Sequence, residues 1–345
     1  MKVLLVVLSF SFLLFGQGSN LKVNGFVDVY YAYDFNKPID MNRSYTTQPL
    51  RHNEFNLNLA TLGVSYSTEN VRGNFTFQTG TYVESNYVAE TSLLKKIYEA
   101  SAGVKIGSFW FDAGIFPSHI GLEGIQSITN WTYSRSLASD FSPFFETGVK
   151  VSTDMTNQLS AGVMVLNGWQ NIKETNSDKA FGSFLKFIPS ENTLINWSTF
   201  FGNEVPDSLP NQFRIFNDFY LQQTLSDNIQ VAALFDIGIQ ENSAHDKWNI
   251  WHTGYLMMKY IFSSSFSTSA RVEYYSDSKG ITIPTGTENN YQSKGASINL
   301  DYSPETNVLL RAEFRSIISK DKIYPSENGL KTSDNFIVLS SSISF

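Results

Sequence analysis

The sequence predicts an all-β chain, a transmembrane antiparallel β-barrel of about 16 strands with short turns on one rim and long loops on the other. Three observations predict it. A chain that is 42% apolar and 15% aromatic has a slightly negative mean hydropathy of −0.17, so its apolar residues are spread at alternate positions and not gathered in blocks. The connections between the alternating segments are by turns short and long. The chain ends on an apolar strand whose last residue is Phe345.

Before the first strand, Lys2 precedes an apolar run from Val3 to Phe15 and a Gly16-x-Gly18 pattern. This reads as a cleaved signal peptide over residues 1–18, its apolar run being well short of the roughly 20 residues that a spanning helix needs. Residues 19–345 are then one domain. Removing Lys2 from the 25 basic residues leaves 24 against 32 acidic, a balance unsuited to nucleic acid. The absence of cysteine removes disulfides, thiolate metal sites and thiol nucleophiles.

The first strand shows the template. Leu21, Val23, Val27, Val29, Tyr31 and Tyr33 alternate with Lys22, Asn24, Asp28 and Ala32, a period of two that gives a strand two unlike faces. A second segment over 53–66 slips phase between Leu59 and Leu62, which predicts a bulge near Ala60 or Thr61. The pattern recurs at 71–83, 97–106, 109–116, 144–152, 158–168, 180–188 and 193–202. It continues at 213–225, 229–240, 248–262, 266–277, 292–302, 307–318 and 335–345. Short connections such as Gly107-Ser108, Ser226-Asp-Asn228 and Ser263-Ser-Ser265 alternate with long ones, of which 117–143 is the longest. Short turns belong in the periplasm and long loops outside, so an even strand count places both termini on the turn rim.

The faces assigned to lipid carry almost no charge, as a membrane wall requires, and a terminal strand ending in Phe345 looks like the signal read by barrel-assembly machinery. GFVDVYYAYDF at 25–35, Asn53-Glu-Phe-Asn-Leu-Asn58, Asn130-Trp-Thr-Tyr-Ser-Arg-Ser136 and Ser142-Pro-Phe-Phe-Glu-Thr-Gly-Val-Lys150 together resemble the putative β-barrel porin family described as OmpL-like. The resemblance covers the whole mature chain. It implies a bacterial outer-membrane channel for small hydrophilic solutes or ions and implies no catalytic residue.

A barrel this wide is not filled by its own side chains, so its lining decides its function. By parity the inward charges include Arg271 and Glu273 on one strand and Arg311, Glu313 and Arg315 two strands away. The long segment 117–143 carries Glu123, Trp131, Tyr133, Arg135 and Asp140, and is expected to fold inward and face that cluster across a constriction. The alternative is a wall ladder in which the arginines neutralise Glu273 and Glu313. Trp131 and Tyr133 could stack on solutes while Arg135 takes a carboxylate or phosphate, or they could simply pack the loop.

Two other functions are weighed. A barrel with a lumen plugged by loops would act in binding or structure, and a barrel lipase would need a His, Ser and acid together. His252 has outward parity beside Trp248 and Trp251 and reads as an interfacial residue. No HExxH, GxSxG or phosphate loop occurs, the loop acids Asp246, Asp321 and Glu327 read as solvated, and no cofactor, catalytic residue or metal site is expected. Expected partners are outer-membrane lipids, small hydrophilic solutes, the assembly machinery and, through the greasy wall, further copies in a homo-oligomer.

Overall fold

The computed structural model describes residues 20–345, so the signal peptide read over 1–18 lies outside the described residues. Sixteen strands close into one antiparallel barrel. In chain order they are β1 (Leu21–Asp34), β2 (Phe55–Ser67), β3 (Val71–Thr79), β4 (Ile97–Ile106), β5 (Phe109–Pro117), β6 (Phe145–Asp154), β7 (Leu159–Leu166) and β8 (Ala180–Ser190). There follow β9 (Thr193–Asn203), β10 (Phe213–Ser226), β11 (Ile229–Glu241), β12 (Trp248–Ile261), β13 (Phe266–Asp277), β14 (Tyr291–Glu305) and β15 (Val308–Ser319). A hairpin of β16 (Tyr324–Ser326) and β17 (Gly329–Lys331) lies within the last long connection, and β18 (Ser333–Ser344) closes on β1.

Each strand pairs with its sequence neighbour, and the seam is a ladder from Phe26 opposite Ser344 to Asp34 opposite Phe336. Closure leaves no unpaired edge, which is what backbone amides in hydrocarbon demand. No described helix is long and apolar enough to cross a membrane, and the crossing is made by strands. Residues facing each other across antiparallel strands share a face, so the register carries the two-face pattern round the barrel. Val163, Leu256, Val272, Ile298, Leu300 and Leu339 are exposed on the outside. Phe26, Phe200, Phe216, Trp251, Tyr275 and Val338 are buried inside.

At the terminus the seam closes on Gly25. Its amide donates to the Phe345 carbonyl at 2.7 Å, Phe345 N–H returns the bond at 2.9 Å, and a Cβ on Gly25 would overlap the Phe345 ring.

Two expectations are corrected. The slip in β2 falls at Asn58, between the pairs Asp28–Leu59 and Val29–Leu57, and not at Ala60 or Thr61. The bulge turns Asn58 and Leu59 both inward, and Asn58 Nδ2 donates to Asp28 Oδ2 at 2.7 Å, a polar partner that a buried carboxylate requires. The strand expected over 71–83 stops at Thr79. Gly80 follows at φ +129°, where a Cβ would meet the Asn58 carbonyl, and a short helix α1 (Thr81–Asn86) buries Tyr82 and Val83 inside. Alternation over three residues does not separate a strand end from a helical turn with one buried face.

Candidate functional site

Segment 117–143 lies against the inner wall. It includes a helical turn over Ser127–Thr129 and a short helix α2 (Leu137–Asp140), whose N-cap Ser136 accepts from Ser139 N–H. Asn130 closes the loop on itself, with Gly124 N–H donating to its Oδ1 and its Nδ2 donating to Gly124 O, both at 2.9 Å.

Inward parity brings Arg271, Glu273, Arg311, Glu313 and Arg315 to the facing wall on β13 and β15, with β14 between them. All five are buried. Arg271 Nη1 donates to Thr132 Oγ1 at 2.6 Å and Ser134 O at 2.9 Å, while Nη2 reaches Ser134 Oγ at 3.0 Å and Arg135 O at 3.3 Å. Arg311 Nη1 donates to Ser127 O at 2.6 Å and Thr132 O at 3.1 Å, and Nη2 to Asn130 O. The acids take the loop's donors. Glu313 accepts Ser134 N–H at 2.7 Å and Ser134 O–H at 2.6 Å, and Glu273 accepts Leu137 N–H at 2.7 Å.

The wall groups also neutralise one another. Arg315 Nη2 stands 2.7 Å and Arg271 Nε 3.3 Å from Glu273 Oε1, and Arg311 Nε 2.8 Å from Asp301 Oδ1. Ladder and loop contact therefore coexist, because the Arg271 and Arg311 guanidiniums have more donors than one carboxylate can use and spend the rest on loop carbonyls, while Arg315 serves the ladder alone through Glu273. Buried charges with one partner removed cost several kcal/mol, so the assembly fixes the loop's position more than it adds stability.

The loop's own charged and aromatic residues are turned into its packing. Glu123 accepts Ser136 N–H at 2.9 Å and pairs with Arg271 at 3.3 Å. Arg135 donates to Glu123 O and Tyr82 Oη, and its guanidinium carbon sits 4.3 Å over the Phe144 ring. Tyr133 is fully buried, its carbonyl accepting Gln48 Nε2 at 2.8 Å and its ring 6.1 Å from that of Tyr30. Trp131 is half-buried against Ala138, Ala232, Leu234, Tyr255 and Met257. Asp140 accepts from Thr47, and burial pushes its carboxyl up to about 6.

Several members of the site escaped sequence reasoning. Asp301 was signalled by its inward parity opposite Arg311. Ser127, Thr132 and Ser134 contribute carbonyls, an amide and hydroxyls, which no side-chain pattern marks. His119 pins the start of the loop: Nδ1 is 2.8 Å from Glu146 Oε1, Nε2 is 2.8 Å from Thr199 O, and Ser198 Oγ donates to His119 O at 2.6 Å. Both ring nitrogens face acceptors, and although burial opposes a charge there, Glu146 and the Thr199 carbonyl outweigh it and raise the His119 pKa above its usual value.

Elsewhere, His252 stacks edge-on against Tyr274, its Nδ1 3.4 Å from the Tyr274 hydroxyl, with neither serine nor acid bonded to it. Asp246 is bonded to Asn242, Asp321 to Asn289, and Glu327 pairs with Lys37. Among the described residues no His, Cys, Asp or Glu cluster is disposed to hold a metal ion.

The interior divides by height. Towards the loop rim Phe116, Ile120, Leu137, Phe200, Trp251, Tyr275 and Tyr291 form one packed cluster, and a second, with Tyr82, Tyr87, Ile125 and Phe145, runs down the wall to Phe26. Towards the turn rim the inward side chains are polar and reach solvent: Lys22 and Asn24 are exposed, and Arg72, Asn74, Glu99, Lys150, Lys186, Gln222, Gln230 and Lys259 are only half-buried.

Solved structures of the same architecture match at low sequence identity. The outer membrane channel DcaP of Acinetobacter baumannii matches at 12% identity over 94% of this chain and 97% of its own, with a TM-score of 0.63. An anion-selective porin from Comamonas acidovorans matches at 9% over 94% and 99%, with a TM-score of 0.62. OmpF of Salmonella typhi matches at 14% over 94% and 97%, with a TM-score of 0.61. At these identities the likeness is one of fold. No curated protein matches the sequence. The family described as putative beta-barrel porin-2, OmpL-like, matches residues 20–345, and the chain belongs to it, a porin-like channel that spans the bacterial outer membrane as a β-barrel.

Proposed function

We propose that the protein lets small hydrophilic solutes or ions diffuse passively across the outer membrane, through an aperture set by segment 117–143. The observation that carries this reading is the contrast in the interior: inward polar side chains below the loop reach water while the outer wall is greasy, and the loop is tied across the lumen above them. Arg271, Glu273, Arg311 and Glu313 act as its wall anchors, with Arg315 holding Glu273, and Glu123, Trp131, Tyr133, Arg135 and Asp140 shape the constriction from the loop side. No enzymatic step is assigned. The loop rim faces outward, and the β18 end at Phe345 is what assembly machinery would read.

The experiment is single-channel recording from the refolded mature protein in a planar bilayer. Small, stable conductance steps support the reading. One observation favours a second reading, a loop-plugged barrel serving in binding: the packed aromatic cluster at the loop rim. A barrel shown by heat-modifiable mobility to be folded, yet giving no steps, would establish the plug.

A further inference from the structure

We propose that the chamber between the turn rim and segment 117–143 is a basic, anion-collecting vestibule, and that it, not the arginine cluster, gives the channel a preference for anions. The inference deepens the channel reading and rests on it.

Register places the charges. Arg72 and Asp112 both lie opposite Gly103, and Asp112 lies opposite Lys150. Lys105 is opposite Trp110, Lys186 opposite Asn196, Lys259 opposite Ser269 and Lys22 opposite Ser65. All these side chains share the inward face. The paired ones cancel: Arg72 Nε donates to Asp112 Oδ1 at 2.6 Å, and Arg311 is matched by Asp301. What remains in the chamber is Lys22, Lys105, Lys150, Lys186 and Lys259, with no ion pair among the described residues, against Glu99, which accepts from Ser101 Oγ at 3.2 Å. Glu146, the other acid near Lys150, is engaged by His119 and Ser118.

The excess sits inside apolar walls, where field lines are focused into the lumen. Arg271, Arg311 and Arg315 are buried, the first two bonded to loop carbonyls and the third held on Glu273, so a passing solute does not meet them. Acids on the same side, Glu69, Asp154, Glu191, Asp227 and Glu305, stand exposed at the turn tips, where bulk salt screens them. A chain that is acidic overall therefore presents a basic chamber below the loop.

The test is the reversal potential of the open channel under a potassium chloride gradient. The expected result is a chloride-over-potassium permeability ratio of about 10 at low salt, the lower end of what charged clefts achieve, falling as ionic strength rises. The ratio should move towards 1 in Lys150→Gln/Lys186→Gln/Lys259→Gln. Clear steps with cation preference, or a triple variant with an unchanged ratio, overturn the vestibule while leaving the channel. Absence of steps overturns the channel reading instead, and a second measurement still decides the vestibule. The Trp110 ring lies 4.2 Å from the Arg72 guanidinium and 5.9 Å from Lys105 Nζ. Its fluorescence, taken as the difference between the native protein and Trp110→Phe, should be quenched more by iodide than by caesium, each normalised to N-acetyl-tryptophanamide. Equal quenching by the two ions overturns the proposal.

Discussion

Arg311 is the side chain whose loss should most directly release segment 117–143. Its guanidinium donates to the carbonyls of Ser127, Thr132 and Asn130, all on the loop, while Nε and Nη2 hold Asp301 on the wall. Hydrogen bonds to a charged group are each worth about 1.5–3 kcal/mol, and Arg311→Ala removes all three from one stretch of the loop. The loop keeps its bonds to Arg271, Glu273 and Glu313, and water enters the vacated space. The low end therefore applies, about 4.5 kcal/mol in all, or roughly a 10³-fold fall in the ratio of strapped to released loop. Asp301 is left buried and unpaired, so Arg311→Ala/Asp301→Asn is the cleaner variant and should retain the folded, heat-modifiable barrel. In planar bilayers both variants should show larger steps with frequent transitions between levels, where the native channel is small and quiet. Unchanged conductance and noise in a folded double variant would refute the strapping of the loop by Arg311. Ion preference should scarcely change, because the arginine is buried and the chamber lysines remain.

Three further outcomes follow from particular contacts. Burial opposes a second proton on His119, at the base of the loop, but Glu146, Thr199 O and, from β10, Asp218 favour it, with Asp236 opposite Asp218. Transitions should increase as pH rises through loss of that second proton, and His119→Gln should remove the pH dependence. On the lipid wall, Leu256→Arg puts a guanidinium near mid-height on β12 and should cost about 2–4 kcal/mol in urea unfolding from vesicles. At the seam, Gly25→Ala drives a methyl into the Phe345 ring and should cost about 1–3 kcal/mol, part of it recovered in Gly25→Ala/Phe345→Leu.

The strands were legible because lipid on one side and polar lumen on the other enforce the period of two at most positions, and a run such as Val71–Thr79 carries it without a break. It failed where the chain answers to something other than the two faces. Asn58 bulges to supply Asp28, and Thr81–Asn86 coils to bury Tyr82. The arginine cluster was visible by parity, but what it binds was not. Its partners are mainly backbone carbonyls and amides of Ser127 to Leu137, which carry no sequence signal. Parity names a face and not a neighbour, so the inward charges look balanced in the sequence. Balance dissolves once partners are known, since the acids Asp112, Glu146, Glu273, Asp301 and Glu313 are each tied to an arginine, a histidine or the loop. That exchange of partners sorts charge by height. Near the loop, Arg271, Arg311 and Arg315 are matched by acids because the site is dry and an unpaired charge there is costly. Near the turns, water solvates the lysines and they can stay free. Selectivity in such a barrel resides in the charges that packing does not consume, and here those are lysines.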